Sequence, residues 1–141
     1  MGQQHCCRCR RTTGIVGAVS AANSLVGSST ADQVGDGDIT ELTNGNYVVY
    51  SYYWDNGTIA DAGAVTWGSG TNGVFGVVSE ANSLVGTTTA DHVGSGGVTP
   101  LANGNYVVTS PYWDYDSVVD IVAVTWGSGI SGITGEISIA N

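Results

Sequence analysis

Residues 14–72 align with residues 73–131 at a period of 59 without a gap, and 36 of the 59 positions are identical. A third copy opens at Gly132 and runs to Asn141, the counterpart of Asn82 and Asn23. This internal repetition constrains the fold more than any other feature. A unit of this size is one supersecondary element that leaves an apolar face uncovered, so neighbouring units must stack to bury it.

Strand signals are dense inside each unit. In the second copy, Ala102-Asn103-Gly104-Asn105 leads into the β-branched and aromatic run Tyr106-Val107-Val108-Thr109. Asn-Gly at that place predicts a hairpin with a type I′ turn, which needs positive φ at both central residues. Ala123–Trp126 follows, then a Gly-Ser-Gly turn, then Gly132–Ser138; the first copy repeats the scheme with Asn44-Gly45-Asn46, Ala64–Trp67 and Gly73–Ser79. No window sustains a helical period, so an all-β fold is expected and a mixed α/β domain is not. Four short antiparallel strands per repeat is the pattern of a β-propeller blade. The expected architecture is two tandem four-stranded antiparallel propeller-type blades plus an orphan N-terminal strand. The boundaries that follow are a segment of unrelated composition over 1–13, an orphan strand (Gly14–Ala22) with a linker over 14–31, a first blade over 32–82, a linker over 83–90 and a second blade over 91–141.

Charge is distributed in the same two-part way. Arg8, Arg10 and Arg11 are the only basic residues and lie in the first 13 positions with all three cysteines, whereas the 12 carboxylates all lie beyond, for a net charge of -9. An acidic chain is repelled by phosphate backbones and anionic lipid, and no apolar stretch approaches the roughly 18 residues needed to span a bilayer. Nucleic-acid binding and membrane insertion are therefore not expected. His5, Cys6, Cys7 and Cys9 are residue types that hold soft metals, but Cys-Cys-x-Cys lacks the paired C-x2-C spacing of a closed zinc site. The segment reads as an oxidisable, disordered tail, and it has no apolar core of a secretory signal.

Asp91-His92-Val93-Gly94, Leu101–Val108 and Ser110-Pro111 together resemble the FG-GAP blade of integrin α-type propellers, with Val93-Gly94 where Phe-Gly usually stands. Asp61–Val65 is similar to the following strand of that blade. The whole unit is similar also to the tandem NGNYVV…WDNG…AGAVTWG repeats of very large bacterial surface and exported proteins. The resemblance covers residues 14–141 and implies an extracellular, cell-surface or exported setting.

Integrin-type blades often hold calcium on an Asp- and Asn-rich loop, because a hard cation takes six to eight oxygens. Here the corresponding turns, Thr43–Asn46 and Ala102–Asn105, have no carboxylate. The only candidate calcium ligands are Asp36, Asp38 and Glu41, whose counterparts in the second copy are Ser95, Gly97 and Pro100. Without a repeated ligand set, no cofactor is expected, and solvated surface carboxylates are the competing account. Asp32 and Asp91, each after Thr-Ala, read as turn formers that accept backbone hydrogen bonds.

No catalytic residues are expected. His92 is the one histidine of the repeats, Gln33 replaces it in the other copy, and no Gly-x-Ser-x-Gly elbow occurs. The repeated aromatics are the better functional candidates: Tyr53-Trp54-Asp55 recurs as Tyr112-Trp113-Asp114. An indole beside a carboxylate can stack on a sugar ring and accept hydrogen bonds from its hydroxyls, giving a candidate glycan site; large aromatics serve burial before binding, however, and the core is the leading reading for both indoles. Trp67 and Trp126 are assigned to packing between blades.

Two blades cannot close a propeller of four to eight. The expected function is thus a structural or adhesive extracellular module that completes its fold by head-to-tail self-association, with a glycan-binding propeller as the alternative. Three chains would make six blades and four would make eight; the trimer is the expected partner state, the tetramer the runner-up.

Overall fold

A computed structural model describes residues 14–141, all of it strands, turns and irregular segments with no helix among the described residues. The strands are β1 (Leu25–Val26), β2 (Asp38–Glu41), β3 (Tyr47–Ser51), β4 (Ala64–Gly68), β5 (Gly76–Val77), β6 (Ser83–Val85), β7 (Val98–Pro100), β8 (Tyr106–Ser110), β9 (Ala123–Gly127) and β10 (Gly135–Glu136). They form three sheets, none closed into a barrel: β1-β5, β10-β6-β4-β3-β2 and β7-β8-β9.

Each copy contributes one antiparallel meander, β2-β3-β4 or β7-β8-β9, where the β-branched runs were expected. The remaining strands depart from a four-stranded antiparallel unit. Gly73–Ser79 supplies only β5, which lies parallel to β1 in another sheet, and the strand beside β4 is β6. β10, from the third copy, then adds parallel to β6. The five-stranded sheet therefore contains strands of three successive copies. No regular strand forms over Gly14–Ala22; the first is β1, at Leu25. The physical reason is that an extended run needs a neighbouring edge, and Gly14–Ala22 finds none among the described residues.

The hairpin turns form as expected but with different dihedrals. Gly45 and Gly104 have φ of +88° and +92°, whereas Asn44 and Asn103 are not in the positive-φ region. Gly45 N–H donates to Leu42 and Leu42 N–H to Asn46, which makes a type I turn closed by a left-handed glycine, the three-residue hairpin loop.

Period-two alternation sorts side chains into two cores. Leu42, Val48, Tyr50, Val65 and Leu84 meet Val93, Val98, Tyr106, Val108 and Ile137 between the five- and three-stranded sheets. Trp54, Ala64, Val78 and Val85 pack with Leu25 and Val34 on the other face. Adjacent residues of one strand, Ala64 and Val65, thus point into different cores, as the pleat requires.

Candidate functional site

The Asp91-His92 turn borders a surface cleft between the two copies. The Asp91 carboxylate accepts the N–H groups of Thr87 (2.8 Å), Thr88 (2.9 Å) and Asp114 (3.1 Å) and the Thr88 hydroxyl (2.5 Å). Asp32 repeats this with Ser28 (2.6 Å), Ser29 (2.8 Å) and Asp55 (3.0 Å). The two aspartates are the turn formers the sequence suggested. With the turn fixed, His92 takes φ +43° and its N–H donates to Asp61, while Nδ1 stands 3.1 Å from the Tyr52 carbonyl. A carbonyl can only accept, so Nδ1 carries a proton toward it.

The His92 ring lies between two tyrosines, 5.6 Å from Tyr53 and 6.0 Å from Tyr112, nearly perpendicular to both. These three line a cleft of about 400 Å³ with Tyr52, Ala90, Ser95 and Asp120. Ser95 Oγ is buried beside it without a hydrogen-bond partner among the described residues. The Tyr52 hydroxyl donates to the Gly37 carbonyl at 2.9 Å. Burial first, then the charges of Tyr50, Asp38 and Asp36, raise its pKa above the ordinary tyrosine value. The cleft offers apolar ring surface together with tyrosine hydroxyls, an imidazole and the carboxylate of Asp120, a mixture of stacking and hydrogen-bonding groups.

The six residues expected to bind glycan separate into two roles. Tyr53 and Tyr112 are exposed and flank the cleft. Trp54 and Trp113 are buried, 3% and 5% exposed, and belong to the cores, the leading reading of the two indoles, so neither offers its ring as a binding face. Asp55 and Asp114 are engaged internally: Asp55 accepts the N–H of Asp61 at 2.9 Å, and Asp114 that of Asp120 at 2.8 Å. The reason is steric economy, since a large indole after a strand fills the space between sheets before it can reach solvent. Asp36, Asp38 and Glu41 do not converge, and no group of three His, Cys, Asp or Glu residues that could hold a metal occurs among the described residues. Asp38 Oδ1 instead accepts the N–H of Ile39 at 2.7 Å. His5, Cys6, Cys7 and Cys9 lie outside the described residues.

His92 is the residue that sequence reasoning set aside. The available signal was its context: Asp-Gln and Asp-His occupy the same repeated turn, so His92 and Tyr112 of the second copy face Tyr53 of the first.

A second feature is a clamp between units. The Gly129 carbonyl accepts three N–H groups of the preceding copy: Asn44 Nδ2 (2.8 Å), Asn46 Nδ2 (2.7 Å) and Trp67 Nε1 (3.0 Å). Trp67 therefore packs between units as expected. Its counterpart Trp126 is 55% exposed.

A family model described as a repeat of unknown function, DUF5650, matches residues 9–36, 41–95 and 100–141. The match covers most of the chain, which belongs to that repeat family. No curated protein and no solved structure matches the chain. No helix among the described residues is long and apolar enough to cross a membrane.

Proposed function

We propose that the chain is a non-catalytic structural module that self-associates through its repeats, as part of an extracellular, adhesin-like or surface assembly. The single observation that carries this reading is the sharing of sheets between copies. The second copy places β5 in one sheet, β6 in the next and β7-β8-β9 in a third. A unit so distributed has no boundary at which an array can end with every strand paired, so further copies are the natural complement. The three-stranded meanders and the resemblance to FG-GAP blades support a propeller-like ring as one closed form. Sedimentation of the purified full chain tests the reading: masses at multiples of 14.3 kDa that grow with concentration are expected. A monomer at 100 μM would end it.

A glycan-binding role has one observation in its favour, the cleft between Tyr53, His92 and Tyr112. Titration with simple sugars, comparing the native chain with Tyr53→Ala/Tyr112→Ala, tests it. The expected result is weak binding that the double substitution removes while the melting temperature holds.

A further inference from the structure

The two ends of the molecule carry the two missing parts of one sheet. The complete sheet has five strands, of which β4 is flanked by β6 and β6 by β10. At one end lie only β1 and β5, the counterparts of β6 and β10; at the other lie only β7, β8 and β9, the counterparts of β2, β3 and β4. Two strands and three make the five.

We infer that β1 of a second copy of this chain pairs antiparallel with β9, in the register that β6 adopts on β4, so that β7-β8-β9 of one chain and β1-β5 of the next form a single sheet. This rests on the self-association reading above and adds the surface and the register. Inside the chain the pairs are Ala64 with Val85, Val65 with Leu84 and Thr66 with Ser83. A shift by the repeat period of 59 turns them into Ala123 with Val26, Val124 with Leu25 and Thr125 with Ser24 of the second copy.

Exposure supports the assignment. β4 and β9 share the sequence Ala-Val-Thr-Trp-Gly, yet Val65 is fully buried whereas Val124 is 64% exposed. Beside Val124, the apolar residues Val119, Ile121, Val122 and Trp126 are all exposed, an apolar edge of a kind that soluble monomers rarely leave open.

Backbone groups on the two ends match as well. In the chain, the N–H groups of Gly86, Ala90, His92 and Val93 donate to Gly63, Ala60, Asp61 and Ala62. Their counterparts at the N-terminal end, in Gly27, Ala31, Gln33 and Val34, make no backbone hydrogen bond among the described residues, and neither do the carbonyls of residues 119–122. The clamp repeats too. Asn103, Asn105 and Trp126 stand where Asn44, Asn46 and Trp67 do, and the carbonyl of exposed Gly70 in the second copy is the counterpart of Gly129.

Three of the four acceptor positions differ, Val119, Ile121 and Val122 standing where Ala60, Ala62 and Gly63 do, and the last of them bears on the fit. A Cβ at Gly63, φ +80°, would stand 2.3 Å from the nitrogen of Val93. Its counterpart is Val122, a β-branched residue at φ +63°, so the loop carrying Val122 shifts as the second copy seats. Val122→Gly removes that obstacle.

The test uses the full chain and its variants in sedimentation, with circular dichroism to follow the fold. Val124→Lys, at an already exposed position, and Ser24→Lys, on the partner edge, each weaken self-association at least tenfold. Mixed together they give a 1:1 dimer of about 29 kDa, twice the 14.3 kDa of one chain, and nothing larger, since each retains one intact end. Val122→Gly tightens association. Self-association of Val124→Lys equal to that of the native chain overturns this edge and leaves self-association itself standing. Absence of the dimer from the mixture, or a Val122→Gly chain no tighter than native, overturns the register.

Discussion

Asp91 and Asp114 are joined across the unit by one short bond, the Asp114 N–H donating to the Asp91 carboxylate at 3.1 Å. Asp32 and Asp55 repeat it at 3.0 Å. The bond ties the turn before each meander to the loop that follows its second strand, and in the second copy that turn carries His92. Asp91 is fully buried. Replacing it with Ala strands the N–H groups of Thr87, Thr88 and Asp114, which are half-buried, and an unpaired buried donor costs about 1–3 kcal/mol before relaxation. Asp91→Ala is expected to destabilise the chain by about 3–5 kcal/mol and Asp91→Asn by less, since an amide oxygen still accepts. Urea denaturation checks both; equal costs for the two would remove the hydrogen-bond account.

The same cradle sets behaviour in acid. Burial works to raise the Asp32 pKa, but the N–H of Asp55, the hydroxyl and N–H of Ser29 and the N–H of Ser28 outweigh it, and the net direction is below the ordinary 3.8. A depressed folded-state pKa gives stability that is present above the unfolded value and lost as the pH falls through the folded one. Stability is therefore expected to fall as the pH drops below about 4, and Asp32→Asn is expected to flatten that fall. Thermal melts from pH 5 to pH 2 measure it.

Tyr106 acts at the other limit. Its ring is fully buried under Gly127, and burial pushes the hydroxyl pKa up to about 12 against an ordinary 10.0. The folded state then holds its proton where the unfolded chain has lost it, so stability is complete below pH 10 and declines as the pH rises toward 12. About 2 kcal/mol is expected to be lost over that window. Tyr106→Phe keeps the ring and abolishes this part of the decline. Melts at pH 8 and pH 11 of the two proteins give the comparison.

The repeat and the strand type were legible because both rest on local pattern: Tyr47–Ser51 and Ala64–Gly68 are β-branched and aromatic runs between glycine turns. Strand order was not legible. β6 is only Ser83–Val85 and β10 only Gly135–Glu136, too short to show any alternation, and their places depend on edges supplied by other copies. The site divides along the same line. Tyr53 and Trp54 are neighbours in one repeated motif, and nothing in sequence says which ring faces solvent, because that depends on the next sheet. Asn44 and Asn46 read as turn residues, yet their amides hold Gly129 of the following unit.

Gly129 combines two constraints. A Cβ there would lie 1.6 Å from the Gly104 carbonyl oxygen, and the clamp requires its own carbonyl to stay in place. Gly45 by contrast has φ +88° and open space around it. Gly45→Ala is expected to cost about 1 kcal/mol through backbone strain alone. Gly129→Ala is expected to cost at least about 3 kcal/mol, because the collision is with backbone and not with a side chain that can turn away. Guanidinium denaturation of both variants ranks them, and similar values would show that the close approach relaxes freely.

The segment before β1 is expected to restrain assembly. Gly14–Asn23 is the counterpart of Gly132–Asn141, which already lies against β6 through β10. A second copy seated on β9 would bring its own Gly14–Asn23 to the place that Gly132–Asn141 holds, so one of the two must leave. The incoming segment has less to lose: Ile15, Val16 and Val19 are 70–86% exposed, and its Ser20–Asn23 turn bonds only locally. Displacing it still costs free energy at each junction. Removing residues 1–23 is therefore expected to tighten self-association by about tenfold, or ~1.4 kcal/mol. Added NaCl is expected to act in the same direction on both chains, because the acidic repeats repel one another and salt screens that repulsion. Sedimentation at 50 mM and 300 mM NaCl reads both effects. An association of the shortened chain weaker than that of the whole would mean that Gly14–Asn23 contributes to the junction instead of obstructing it.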